Sequence, residues 1–94
     1  MKPPPLTLTL RPEVAAFAEA MERKLRLNDH KTHWRHAMPG YLLTRLHDEV
    51  RELMRALATR DGDTSERILD EAADVANFAM FLADVAGGLE TPTP

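Results

Sequence analysis

Four acidic residues at matched spacing carry the chemistry this chain can offer: Glu49-x-x-Glu52 in LHDEVRELMRAL and Glu71-x-x-Asp74 in LDEAADVANFAM. On an α-helix, residues three apart lie about 60° around the axis and one turn along it, so each pair can aim two carboxylates at one spot. Two such helices side by side would surround a small volume with four oxygen ligands. That is a cage for a hard divalent cation, above all Mg²⁺, and Mg²⁺ usually brings a polyphosphate with it. A plainer reading stands beside this one. Charged pairs at these spacings are common on solvated helix faces, and Arg45, Arg51 and Arg55 are at hand as salt-bridge partners. Two features favour the cation. Both pairs flank the apolar stripe of their helix on the same side, and Glu71 and Asp74 lie on the least polar helix of the chain. Unpaired carboxylates at a desolvated seam are costly, and a bound cation offsets that cost.

The elements that must position these groups follow from apolar periodicity. Residues 1–12 read as an extended N-terminal arm, because Pro3, Pro4 and Pro5 disfavour helix and Leu6 to Leu10 alternates with period two. Pro12 and Glu13 suit a first helical turn, and Val14, Phe17, Ala18, Met21 and Leu25 recur at helical spacing, which predicts a helix from Pro12 to Leu27. Asn28 to Gly40 is polar, holds three histidines and Trp34, and ends in the breaker Pro39-Gly40, so it reads as an irregular connection with room for one helical turn. A second helix is expected from Tyr41 to Thr59 with Leu42, Leu46, Val50, Leu53 and Leu57 on its buried face. Gly62 offers a left-handed turn, and Asp63 with Glu66 resembles a capping box that opens a third helix from Thr64 to Ala86, stopped by Gly87 and Gly88. Residues 13–87 form the domain and 88–94 a frayed tail. The third helix is apolar on nearly every side, through Ile68, Leu69, Val75, Phe78, Met80, Phe81, Leu82 and Val85. Two further helices cannot surround it, so the expected fold class is all-α: a small bundle of three main helices per chain, completed by homo-oligomerisation as a dimer or tetramer.

With Glu49-x-x-Glu52, eighteen intervening residues and then Glu71-x-x-Asp74 in place, the chain resembles the MazG-like, all-α nucleoside triphosphate pyrophosphohydrolases. FAEAMERKLRLNDHKTHW resembles their first helix and following loop, and EAADVANFAMFLAD their third helix, so the likeness runs from Phe17 to Asp84. Lys31, Trp34 and Asn77 add to it. The resemblance implies a Mg²⁺-dependent enzyme, with Mn²⁺ as a substitute ion, that splits a nucleoside triphosphate between the α and β phosphates into monophosphate and pyrophosphate. It implies that Glu49, Glu52, Glu71 and Asp74 hold the metal, and that the role is house-cleaning of the nucleotide pool.

The residues are compatible with that chemistry. A triphosphate would be repelled by bare carboxylates, and magnesium inverts the sign, bridges phosphate oxygens and lowers the pKa of bound water. Glu52 is the candidate to orient or deprotonate that water. Lys31 could meet the β or γ phosphate as a mobile point charge, against an alternative as a solvated loop lysine. Lys24 is a weaker substrate-binding candidate, read first as a surface lysine. Trp34 could stack on a base or cover the bundle end. Asn77 lies on the acidic side of the third helix, where its amide needs a partner: a ligand sugar or base, or a cross-helix hydrogen bond. His30, His33 and His36 are spaced by three, but zinc usually recruits cysteines or a closer pair, so solvated histidines or weak phosphate contacts are the better reading.

Composition narrows the classes. The 94 residues suffice for one domain, and 44% hydrophobic content is too high for a disordered segment. A net charge of −3 with mixed signs gives no basic stripe, which argues against a nucleic-acid partner. The absence of cysteine removes disulfide frameworks, thiolate metal sites and covalent thiol catalysis, and fits a reducing cytoplasm. No apolar run approaches the roughly 20 residues of a membrane span, and MKPPPLTLTLRP lacks the apolar core of a signal peptide. The expectation is a cytoplasmic, metal-dependent hydrolase. The alternative is a catalytically silent helical module that binds nucleotide or dimerises. A carboxylate-bridged di-iron bundle would need Glu-x-x-His pairs that neither acidic motif supplies.

Overall fold

A computed structural model describes residues 8–29, 33–59 and 64–91, and among them the chain is helical with no strand. Three helices follow in order: α1 over Pro12–Leu27, α2 over Pro39–Ala58 and α3 over Thr64–Val85, with a 3-10 turn at Trp34–His36 between the first two. Gly62, Asp63, Lys31 and His30 lie outside the described residues. Leu8 and Leu10 are solvent-exposed and form no strand.

Each helix starts and stops for a local reason. Pro12 opens α1, with Glu13 in its first turn and Lys24 and Arg26 in its last, matching the helix dipole. Asn28 closes it by donating from Nδ2 to the Lys24 carbonyl at 3.0 Å. Pro39 and Gly40, read from sequence as a breaker ahead of α2, instead form its first turn. A proline at that position gives up only a backbone N–H that would have had no helical partner. α3 ends in a two-bond cap: Gly88 N–H donates to the Ala83 carbonyl and Gly87 N–H to that of Asp84, both at 2.9 Å. This cap needs a left-handed residue, and Gly87 supplies it with φ +79°.

α3 is the central element, with α1 and α2 packed on it. The buried apolar residues are Leu42 and Ala56 from α2 and Ala73 and Phe81 from α3. This corrects the expected α2 stripe. Leu42 is inside and Leu46 and Leu53 are half-buried, but Val50 and Leu57 are exposed. The row turned inward runs through Leu42, Arg45, Glu49, Leu53 and Ala56, so α2 is rotated to put Glu49 in the seam. The apolar surface left open lies mainly on α2, at Leu43, Val50, Met54 and Leu57. α3, expected to be the helix in need of cover, exposes only Leu69 among its large apolar residues. No described helix is long and apolar enough to cross a membrane.

Candidate functional site

α2 and α3 meet where Glu49 faces Glu71 and Asp74. One carboxylate oxygen from each of these three lies within 4.8 Å of the other two. Such crowding of like charge is unfavourable unless protons, cationic side chains or a metal ion offset it. Burial raises the Glu49 carboxyl above its ordinary 4.5, and Asp74 raises it further; Arg45 pulls the other way, while Glu71 and Glu52 add to the rise. The Glu49 side chain is only 14% exposed.

The fourth acidic residue is not brought in. Glu52 accepts from Arg55 one turn along and is 41% exposed. The rotation of α2 that turns Glu49 into the seam swings Glu52, about 60° further round, to its margin. The arginines weighed as partners are used in part. Arg45 donates to Glu49 at 3.1 Å and to Asp48 at 3.2 Å, and its guanidinium also lies 5.5 Å from the centre of the Phe78 ring. Arg51 pairs with Asp48 at 3.4 Å.

Lys24 departs from its reading as a surface lysine. Its ammonium lies 3.4 Å from Asp74 Oδ2, and both side chains are about a quarter exposed. One turn along each helix, Asn77 Nδ2 donates to the Met21 carbonyl at 3.1 Å, the cross-helix bond weighed for this amide. That bond uses only one side of the amide. Asn77 is 4% exposed and its Oδ1 has no partner.

A cavity of about 760 Å³ runs beside these groups, within the range of small-molecule sites. Lys24, Glu49, Asp74 and Asn77 line it together with Tyr41, Trp34 and Phe81. Along α3, Phe81 lies seven positions beyond Asp74, about 10 Å of helix. The lining thus passes from carboxylates to aromatic rings. Trp34 stacks on Phe81 with ring centres 4.5 Å apart and planes 14° from parallel. Its Nε1–H donates to Asp84 Oδ2 at 2.9 Å, and Arg35 lies over the ring at 5.2 Å. Trp34 is therefore a fixed wall of the cavity, as in the reading that had it cover the bundle end. His33 lines the same cavity and is exposed, as is His36.

Phe81 and Asp84 went unassigned in the sequence reading. The signal was present: Asp74, Asn77, Phe81 and Asp84 follow one another at steps of three and four on α3, and a half-buried indole N–H needs an acceptor. Comparison with family models, curated proteins and solved structures gives no match.

Proposed function

We propose that this chain hydrolyses nucleoside triphosphates between the α and β phosphates, with divalent cations held by Glu49, Glu71 and Asp74. One observation carries the reading: three carboxylates from two helices converge within 4.8 Å at the edge of a cavity large enough for a nucleotide. Hard oxygen donors in this number suit Mg²⁺ or Mn²⁺, and the strained ionisation of Glu49 is what a bound cation would relieve. When bound, the cation supplies charge neutralisation for the phosphates and a more acidic water.

In this reading the chain's own residues divide the work. Glu49, Glu71 and Asp74 hold the cation, and Lys24 stands next to Asp74 to meet phosphate oxygens. The oxygen of a water forms a bond to the α phosphorus as the bond from that phosphorus to the bridging oxygen breaks, leaving monophosphate and pyrophosphate. Glu52, outside the trio, is the carboxylate left to orient or deprotonate the water once it releases Arg55. The aromatic end, fixed by Trp34 and Phe81, excludes water and receives the nucleoside. The sequence resemblance to MazG-like enzymes supports the same reaction.

Two copies of the chain complete the molecule in this proposal. Among the described residues Leu42 is the one large, fully buried side chain, a thin core for three helices, and the open row Leu43, Val50, Met54 and Leu57 on α2 offers the further burial. That open face also favours a second reading, in which the chain is a dimerisation module that binds nucleotide without turning it over. A panel of nucleotides with Mg²⁺ separates the two. Pyrophosphate and monophosphate should appear, and Asp74→Asn should abolish them while leaving the helical circular dichroism unchanged. Thermal stabilisation by Mg²⁺-nucleotide with no products from any nucleotide would support the silent module instead.

A further inference from the structure

Lys24 and Asn77 make up a second feature at this site, and it bears on how the site loads. α1 and α3 run antiparallel across two rungs: Asn77 Nδ2 to the Met21 carbonyl at 3.1 Å, and Lys24 Nζ to Asp74 Oδ2 at 3.4 Å. The first rung, buried at its Asn77 end, sets the register of α1 on α3. That register, one turn on, delivers an ammonium to the carboxylate trio. The second rung is looser, since a charge-assisted N–H···O bond is typically about 2.8 Å, and a lysine head on four rotatable carbons shifts easily.

Charge at the trio is partly offset. Glu49, Glu71 and Asp74 bring three negative charges; Lys24 on Asp74 brings one positive charge, and Arg45 divides its own between Glu49 and Asp48. A bare divalent ion therefore meets a reduced field and is repelled by Lys24. Asn77 gives that ammonium somewhere to go. With Nδ2 committed to Met21, Oδ1 is held as an acceptor, buried, lacking a donor, and one turn from Asp74 on the helix that Lys24 faces.

We propose that Lys24 is a resident counter-ion that keeps free divalent cations out of the trio and admits them together with a polyphosphate, leaving Asp74 for Asn77 Oδ1 and the phosphate oxygens as the pair binds. The inference rests on the triphosphate reading above. The same side chain thus opposes the cation alone and favours the cation–phosphate complex, so removing its charge changes the two affinities in opposite directions.

The test titrates Mn²⁺ alone, and separately preformed Mn²⁺–triphosphate, into the wild-type chain, Lys24→Met and Lys24→Arg, with binding read by isothermal titration calorimetry. Lys24→Met keeps the apolar stem and loses the charge. It should bind Mn²⁺ alone about tenfold more tightly and Mn²⁺ with triphosphate about tenfold more weakly, while Lys24→Arg stays near wild type in both. If circular dichroism shows that the Met variant does not fold, Lys24→Gln carries the same two expected signs. Wild-type Mn²⁺ binding that is indifferent to Lys24, or that moves the same way in both titrations, overturns this inference and leaves the hydrolase reading standing. No Mn²⁺ binding by any chain, with triphosphate or without, overturns both.

Discussion

Glu49→Gln should stabilise the protein without cation and abolish its stabilisation by cation. The oxygens of Glu49, Glu71 and Asp74 lie within 4.8 Å of one another. At that separation each like-charge pair is worth about 1 kcal/mol if water screens it fully, and about 3 kcal/mol at the weaker screening near a protein surface. Glu49 takes part in two of the three pairs. Glutamine removes both repulsions, keeps the shape and still accepts from Arg45, though the lost charge weakens that bond by about 1 kcal/mol. Taking the fully screened value, the net gain is about 1 kcal/mol, or roughly 5 °C in Tm for a domain of this size.

Cation binding reverses the order. At ten times its dissociation constant, Mg²⁺ bound together with inorganic triphosphate should stabilise the wild-type chain by about 1.4 kcal/mol, and the variant should show no such gain. Thermal unfolding followed by circular dichroism, in a chelator and then in Mg²⁺ with inorganic triphosphate, reads both effects. The dependence on pH provides an internal check. Because burial and Asp74 raise the folded Glu49 carboxyl above 4.5, the folded chain binds that proton more tightly than the unfolded chain. Stability contributed by this group is therefore present at low pH and lost as pH rises from 4.5 through the raised value. Glu49→Gln should flatten that fall. A variant that melts below wild type in chelator, or that keeps the Mg²⁺ shift, would refute the claim that crowded carboxylates govern this seam.

Two further outcomes are expected. Trp34→Phe keeps a ring on Phe81 but loses the donor to Asp84, which should cost about 1 kcal/mol in denaturant unfolding, whereas Trp34→Ala should cost about 3 kcal/mol. Equal losses for the two would mean that the Phe81 stack contributes little. Met54→Glu and Leu57→Glu alter side chains that are 63% and 60% exposed, so the fold should tolerate them. Under the two-copy proposal, light scattering should give a dimer for the wild-type chain and single chains for these variants, and an unchanged mass would clear the α2 face of any role in association.

Much of the architecture was legible along the chain. The bounds of α1 and the stop of α3 follow from Pro12, Asn28, Gly87 and Gly88, whose conformational limits act over one helical turn. The start of α2 was misplaced because Pro39 ends helices in most contexts and begins them in one. Glu49, Glu71 and Asp74 were legible only within a set of four that included Glu52, because helical spacing puts both members of each acidic pair on one side of the helix and cannot tell which of them faces the seam.

What residue order could not convey is how far each helix turns about its own axis. That rotation is a compromise among all the packed surfaces, and on α2 it brought Ala56 inward, left Val50 and Leu57 in solvent, seated Glu49 in the seam and sent Glu52 to Arg55. Partners distant in sequence were equally hidden: Lys24 with Asp74 and Trp34 with Asp84 are joined by the register of one helix on another. Local rules such as proline geometry, glycine freedom and apolar period act within a turn and survive in a linear text. Contacts between helices depend on shapes that exist only once the chain has folded.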